Sequence, residues 1–115
     1  MNVLLNLPLE DRHIRQIEAV SKDVRLVQLQ SDGEIIEAMP EIHVLFGEVS
    51  EEMLTRADSL KWVQVTGAGV DSRLFPELVE SDVILTSAKG TVGEHLADHA
   101  MALLLALTRG IATAI

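Results

Sequence analysis

The run Thr66-Gly67-Ala68-Gly69-Val70-Asp71 follows directly on the apolar stretch Trp62-Val63-Gln64-Val65, and the chemistry of this chain concentrates there. Glycine lets a backbone turn sharply and lets a guest approach the N–H groups, so a strand emptying into such a turn offers a cradle for an anion. Gly67-x-Gly69 is also the first half of a dinucleotide fingerprint. The third glycine, due at position 72, is Ser72, and the carboxylate of Asp71 stands where phosphates would press. The turn therefore predicts a small carboxylate as guest rather than a dinucleotide. No Lys or Arg lies inside it, so binding falls to main-chain amides, whose charge-assisted hydrogen bonds suit a carboxylate.

The elements that must position this turn are legible in the hydropathy pattern. Val3-Leu4-Leu5, Val24 to Leu29, Ile42 to Phe46, Trp62 to Val65 and Val83 to Thr86 are short runs rich in Val, Ile and Leu, as buried parallel strands are. Helical segments lie between them. The first carries Ile14, Ile17 and Val20 at a spacing of three. The second opens with Ser31 and Glu34 as a capping box and is stopped by Pro40. The third opens at Ser50 with Glu51 and Glu52 in its first turn, and Phe75 to Leu78 reads as a short helix before the fifth strand. Repeated strand–helix–strand units predict an α/β fold: a five-stranded parallel sheet with helices on both faces and right-handed crossovers. Ligands of such sheets sit outside the carboxyl ends of the strands, where Thr66 to Asp71 falls. In this reading Trp62 and the strand aliphatics are core.

The chain of 115 residues has 18 Asp plus Glu against 9 Lys plus Arg, a formal charge of -9, which repels nucleic acid and anionic membranes. It has no cysteine, which excludes a disulfide or thiolate zinc site. The start Met1-Asn2-Val3-Leu4-Leu5 lacks the basic flank of a signal peptide, and a cytoplasmic location is expected. The longest apolar run, Ala100 to Leu107, falls well short of the ~20 residues that span a bilayer. The segment from Val92 on is nonetheless apolar on every side and runs to Ala112-Thr113-Ala114-Ile115 without a polar tail. A second copy or a further domain is expected to cover it, since apolar surface left in water costs roughly 25 cal/mol per Å².

Other chemistries fit less well. His95 and His99 stand one helical turn apart with Asp98 beside them, close to an inverted zinc-protease pattern, but no third ligand follows and no metal site is expected. A phosphoacceptor domain would need an acidic pair after the first strand and an aspartate ending the third. A flavodoxin would need a hydroxyl-rich phosphate loop after the first strand. Asn6-Leu7-Pro8 and Phe46-Gly47 supply none of these.

Three stretches, Leu60 to Asp71, Val83 to Gly90, and Gly93-Glu94-His95-Leu96-Ala97-Asp98-His99 running into Ala102 to Arg109, together resemble the D-isomer-specific 2-hydroxyacid dehydrogenases. Asp98 departs from the glutamate usual there. The resemblance implies a flavodoxin-like three-layer substrate domain over residues 1–90. Residues 91–115 would be a long apolar interdomain helix leading into a nucleotide-binding domain absent from this chain. It implies that Ala68 and Gly69 donate to a substrate carboxylate, that Thr66 and Gly67 shape the turn and that Asp71 ties its far side. Phe46-Gly47-Glu48 would form the opposite wall. The implied reaction is hydride transfer between a 2-oxo acid and a D-2-hydroxy acid with NAD or NADP in a homodimer. The catalytic arginine, acidic residue and histidine would lie beyond this chain, so the chain alone is expected to be inactive. A different class remains open: a free-standing small-anion-binding or interaction module that dimerises through the C-terminal helix.

Overall fold

The computed structural model describes residues 1–29 and 31–113; Ala114 and Ile115, part of the apolar end noted above, lie outside the described residues. Each predicted strand and helix forms, in the expected order. They are β1 (Asn2–Asn6), α1 (Asp11–Glu18), β2 (Arg25–Val27), α2 (Asp32–Ala38), β3 (Val44–Gly47), α3 (Glu51–Thr55), β4 (Trp62–Gln64), α4 (Pro76–Glu80), β5 (Ile84–Thr86) and α5 (Gly93–Thr108). All pairings are parallel, and the strand order is β2-β1-β3-β4-β5, the flavodoxin-like arrangement.

The alternation of side chains along each strand splits the core into two layers. Leu4, Leu45, Val63 and Val65 face one way and pack with Ile35, Met39, Ile42, Met53 and Leu60 from α2, α3 and their connections. Val3, Leu5 and Val44 face the other way, beneath Leu9, Ile14 and Ile17 of the α1 layer. The direction of the crossovers explains the split. The step from β1 to β2 runs opposite to the steps toward β5, so right-handed connections place α1 and the later helices on opposite faces.

Local chemistry sets the helix starts. At α2 the Ser31 Oγ accepts from the Glu34 N–H at 3.3 Å, and the Ser31 N–H donates to Glu34 Oε2 at 3.3 Å. At α3 the Ser50 Oγ accepts from the Met53 N–H at 3.2 Å. Replacing Ser31 with Ala removes a cap from a helix of only two turns, and a loss of about 1 kcal/mol in urea-denaturation stability is expected.

Several sequence expectations are corrected. Val20 lies beyond α1 and is exposed, because the helix ends at Glu18. The second helix does stop ahead of Pro40, at Ala38, and Pro40 itself sits in a 3₁₀ turn, Met39–Glu41, which its fixed φ permits. Trp62, read as core, is 41% exposed, and its β5 neighbour Ile84 is 62% exposed, because among the described residues no helix covers that side of β4 and β5. The helix expected over Val92 to Arg109 forms as α5, with Val92 and Arg109 as its caps, and none of its residues is buried.

Candidate carboxylate-binding site

The sheet delivers three strand ends to one rim: Asn6 of β1, Gly47 of β3, and the chain leaving β4 at Val65. Register puts Asn6 directly beside Gly47. Gly47 has φ +130°, and a Cβ on it would lie 2.4 Å from the Asn6 carbonyl oxygen, so only glycine fits. The Asn6 Nδ2 then donates to the Glu48 carbonyl oxygen at 2.7 Å, fixing the start of the loop after β3.

The glycine turn is anchored at both ends. Val65 N–H donates to Thr86 O at 2.9 Å, and Gly67 O accepts from Ala88 N–H at 3.0 Å, tying the turn to the end of β5. At the far end Arg73 N–H donates to Val70 O at 2.8 Å within a single 3₁₀ turn, Asp71–Arg73. Between these anchors the N–H groups of Thr66, Gly67, Ala68, Gly69 and Val70 make no hydrogen bond to any described residue. Thr66, Ala68 and Gly69 are exposed. Successive unpaired donors on an anchored turn are groups that an anion can pair with.

Arg73 braces this turn. Its Nη1 donates to Gly69 O at 3.1 Å, while Nε and Nη2 donate to Glu48 Oε2 and Oε1, both at 2.7 Å. This bidentate clamp joins the glycine turn to the loop after β3. Asp71, given the tying role by resemblance, makes no side-chain hydrogen bond to a described residue, and Arg73 does the tying instead. Neither Gly67 nor Gly69 has positive φ, so their use is not the sharp turning that glycine suggested. A Cβ on Gly67 would come within 3.4 Å of the Arg73 guanidinium, whereas one on Gly69 would meet nothing within 4 Å.

Phe46 is not brought to the turn. Its side chain packs with Val3, Leu5 and Val44 in the α1 layer, because β-strand alternation that points Leu45 one way points Phe46 the other. The wall facing the turn is Gly47 backbone and the Glu48 side chain. Between β1 and β3, where strand order reverses, lies a cleft of about 280 Å³ lined in part by Asn6, Asp32, Glu48, Ser50, Glu52 and Met53. Three carboxylates on its walls repel a carboxylate ligand. The cleft does not include the glycine turn, whose amides are unpaired among the described residues.

The Arg73 hydrogen bond, aided by its charge, holds the Glu48 carboxyl below the usual carboxylate range, against slight desolvation. A lowered folded-state pKa stabilises above the unfolded value and is lost as pH falls through the folded one. Stability of the native chain should therefore drop more on acidification below the ordinary glutamate range than that of an Arg73→Met variant. The difference is small, since the Glu48 side chain is more than half exposed. Parallel urea titrations at pH 7 and pH 3 measure it.

The clamp was not visible in sequence. Glu48 and Arg73 are 25 positions apart, and only the β3–β4 pairing brings their loops together.

Comparison with known proteins accords with this geometry. Residues 3–115 match the profile of the D-isomer specific 2-hydroxyacid dehydrogenase catalytic domain. A search of curated proteins returned no match. Among solved structures, a D-isomer specific 2-hydroxyacid dehydrogenase family protein from Aeromonas salmonicida superposes with a TM-score of 0.73 at 26% identity, over 97% of this chain and 37% of that one. Phosphoglycerate dehydrogenase from Lactobacillus plantarum gives 0.66 at 22% identity, over 96% and 36%. An acyclic imino acid reductase solved with NADPH and D-arginine gives 0.68 at 18% identity, over 99% and 39%. The chain thus spans little more than a third of the length of these structures. It belongs to the D-isomer specific 2-hydroxyacid dehydrogenase family, of which it carries the catalytic-domain sequence.

Proposed function

We propose that this chain is the substrate-binding portion of an NAD(P)-dependent oxidoreductase interconverting a 2-oxo acid and a D-2-hydroxy acid by hydride transfer. The observation that carries this reading is the row of unpaired amides from Thr66 to Val70. Ala68 and Gly69 donate to the substrate carboxylate, Thr66 and Gly67 shape the turn, and Gly47 with Glu48 forms the facing wall. Arg73 holds the Gly69 carbonyl by a hydrogen bond from Nη1, so that carbonyl is already paired while the amides beside it are not. Its own charge is taken up by Glu48, so the carboxylate is held by backbone dipoles.

A dinucleotide does not fit the described turn. The turn runs into a single 3₁₀ turn with Asp71 at its head, which offers no helix N-terminus for a pyrophosphate. NAD or NADP therefore belongs to a nucleotide-binding domain outside this chain, approached through residues 91–115, and the substrate domain is 1–90. One similar structure holds NADPH. The groups that exchange the proton on the substrate oxygen belong to the same absent portion, and the isolated chain is inactive. The whole enzyme is a cytoplasmic homodimer. Among the described residues no helix is long and apolar enough to cross a membrane.

The test is titration of oxamate and pyruvate into the ¹⁵N-labelled chain. Amide shifts centred on Ala68 and Gly69, with none in the Asp32–Glu52 cleft, are expected. Shifts confined to that cleft, or turnover by this chain of NADH with glyoxylate, hydroxypyruvate or pyruvate, would overturn the reading.

A further inference from the structure

A trans peptide is planar, with its C=O and N–H pointing in opposite directions, so a bond that holds a carbonyl also aims the amide of the next residue. The peptides of the glycine turn are trans, and two of their carbonyls are held in this way. Gly67 O accepts from Ala88 N–H at 3.0 Å, which sends the Ala68 N–H away from the segment after β5. Gly69 O accepts from Arg73 Nη1 at 3.1 Å, which sends the Val70 N–H away from the guanidinium. Ala68 O, between them, accepts no hydrogen bond from a described residue, so the Gly69 N–H is not aimed by this means.

Val70 is fixed at its other groups. Its side chain packs against the core layer that contains Leu45, Val63 and Val65, and its carbonyl oxygen accepts from Arg73 N–H at 2.8 Å. The residue is partly buried, yet its N–H has no partner among the described residues. A donor held still and withdrawn from bulk water costs free energy until something pairs with it. The guanidinium that aims this donor is held in turn. Arg73 Nε and Nη2 both reach the Glu48 carboxylate at 2.7 Å, and the planar fork then fixes the direction of Nη1 as well.

We propose that the Val70 N–H is a further donor to the substrate carboxylate, aimed by Arg73 acting as a positioning residue through the Gly69 carbonyl. The inference rests on the reading of the turn as a carboxylate site, to which it adds a donor beyond Ala68 and Gly69. A carboxylate can take the additional bond, since its two oxygens offer about four acceptor positions. Val70 lies two residues after Ala68, at most roughly 7 Å of chain, so both donors are within reach of one small acid. Arg73, occupied by Glu48 and by Gly69 O, touches no substrate and acts through the backbone.

Oxamate titrated into the ¹⁵N-labelled chain tests this, with the amide protons of Ala68 and Val70 read separately. In the native chain both should move downfield and saturate together. Arg73→Met should abolish the Val70 response and weaken oxamate binding about tenfold. Ala68, whose peptide is held from Ala88, should still respond at saturation. Arg73→Lys can give one bond to Gly69 O but no fork to Glu48, and should restore part of the Val70 response. It is the variant to read if Arg73→Met fails to fold. Equal loss at Ala68 and Val70, with a lowered melting temperature, would make Arg73 merely structural and overturn the positioning role. So would a Val70 response in the Arg73 variants equal to that of the native chain. Ala68 and Gly69 responding without Val70 in the native chain would overturn the proposal and leave the carboxylate reading intact. Absence of any response in the turn would overturn that reading, and the proposal with it.

Discussion

Replacing Gly47 with Ala should cost roughly 3–4 kcal/mol of folding stability, a large part of what a domain of this size possesses. The added methyl would sit 2.4 Å from Asn6 O and 2.8 Å from Asn6 C, both backbone atoms of the neighbouring strand β1, and φ +130° strains any L side chain. Neither atom can move without breaking the β1–β3 pairing that holds the middle of the sheet. Urea denaturation should show a lower midpoint with an unchanged slope, since the surface exposed on unfolding stays the same. A variant as stable as the native chain would show that β3 can leave Asn6 freely, and the rim built on that contact would lose its support.

The second large effect is on binding alone. Gly69→Val should leave the unfolding midpoint nearly unchanged, because the space a Cβ would enter is empty and the glycine needs no positive φ. The same branched side chain would stand beside the unpaired amides of Ala68 and Gly69, and carboxylate affinity should fall at least about tenfold, or 1.4 kcal/mol. Titration of oxamate followed by amide shifts, with thermal melts of both proteins, separates the two quantities. A glycine without a steric or conformational need inside the protein is explained by a guest that comes close. Unimpaired binding in Gly69→Val would remove that explanation.

The two glycines teach different lessons about what a sequence discloses. Gly67 and Gly69 lie just beyond the end of β4, as their pattern in the sequence predicts, but neither adopts the positive φ that glycine alone favours. Gly67 lies against the Arg73 guanidinium, where a Cβ would make an ordinary contact at 3.4 Å, and the direction of that side chain six residues onward is given by no spacing rule. Gly47 drew attention only through resemblance, and its requirement comes from a neighbouring strand more than forty positions earlier. Phe46, adjacent to it, was expected at the site and lies in the α1 layer instead, since one residue along a strand reverses the face.

By itself, the sequence determined the alternation of strands and helices, the capping of α2 and α3 and the strand-end position of the glycine turn. These depend on hydropathy period and on bonds between residues three or four apart, which lie side by side in the chain. Tertiary structure alone decided that Glu48 clamps Arg73 under that turn, that Trp62 and Ile84 face water and that α5 stands clear of its own sheet. Each follows from strand order and from which helix lands on which face, and those are settled by packing between segments far apart in sequence.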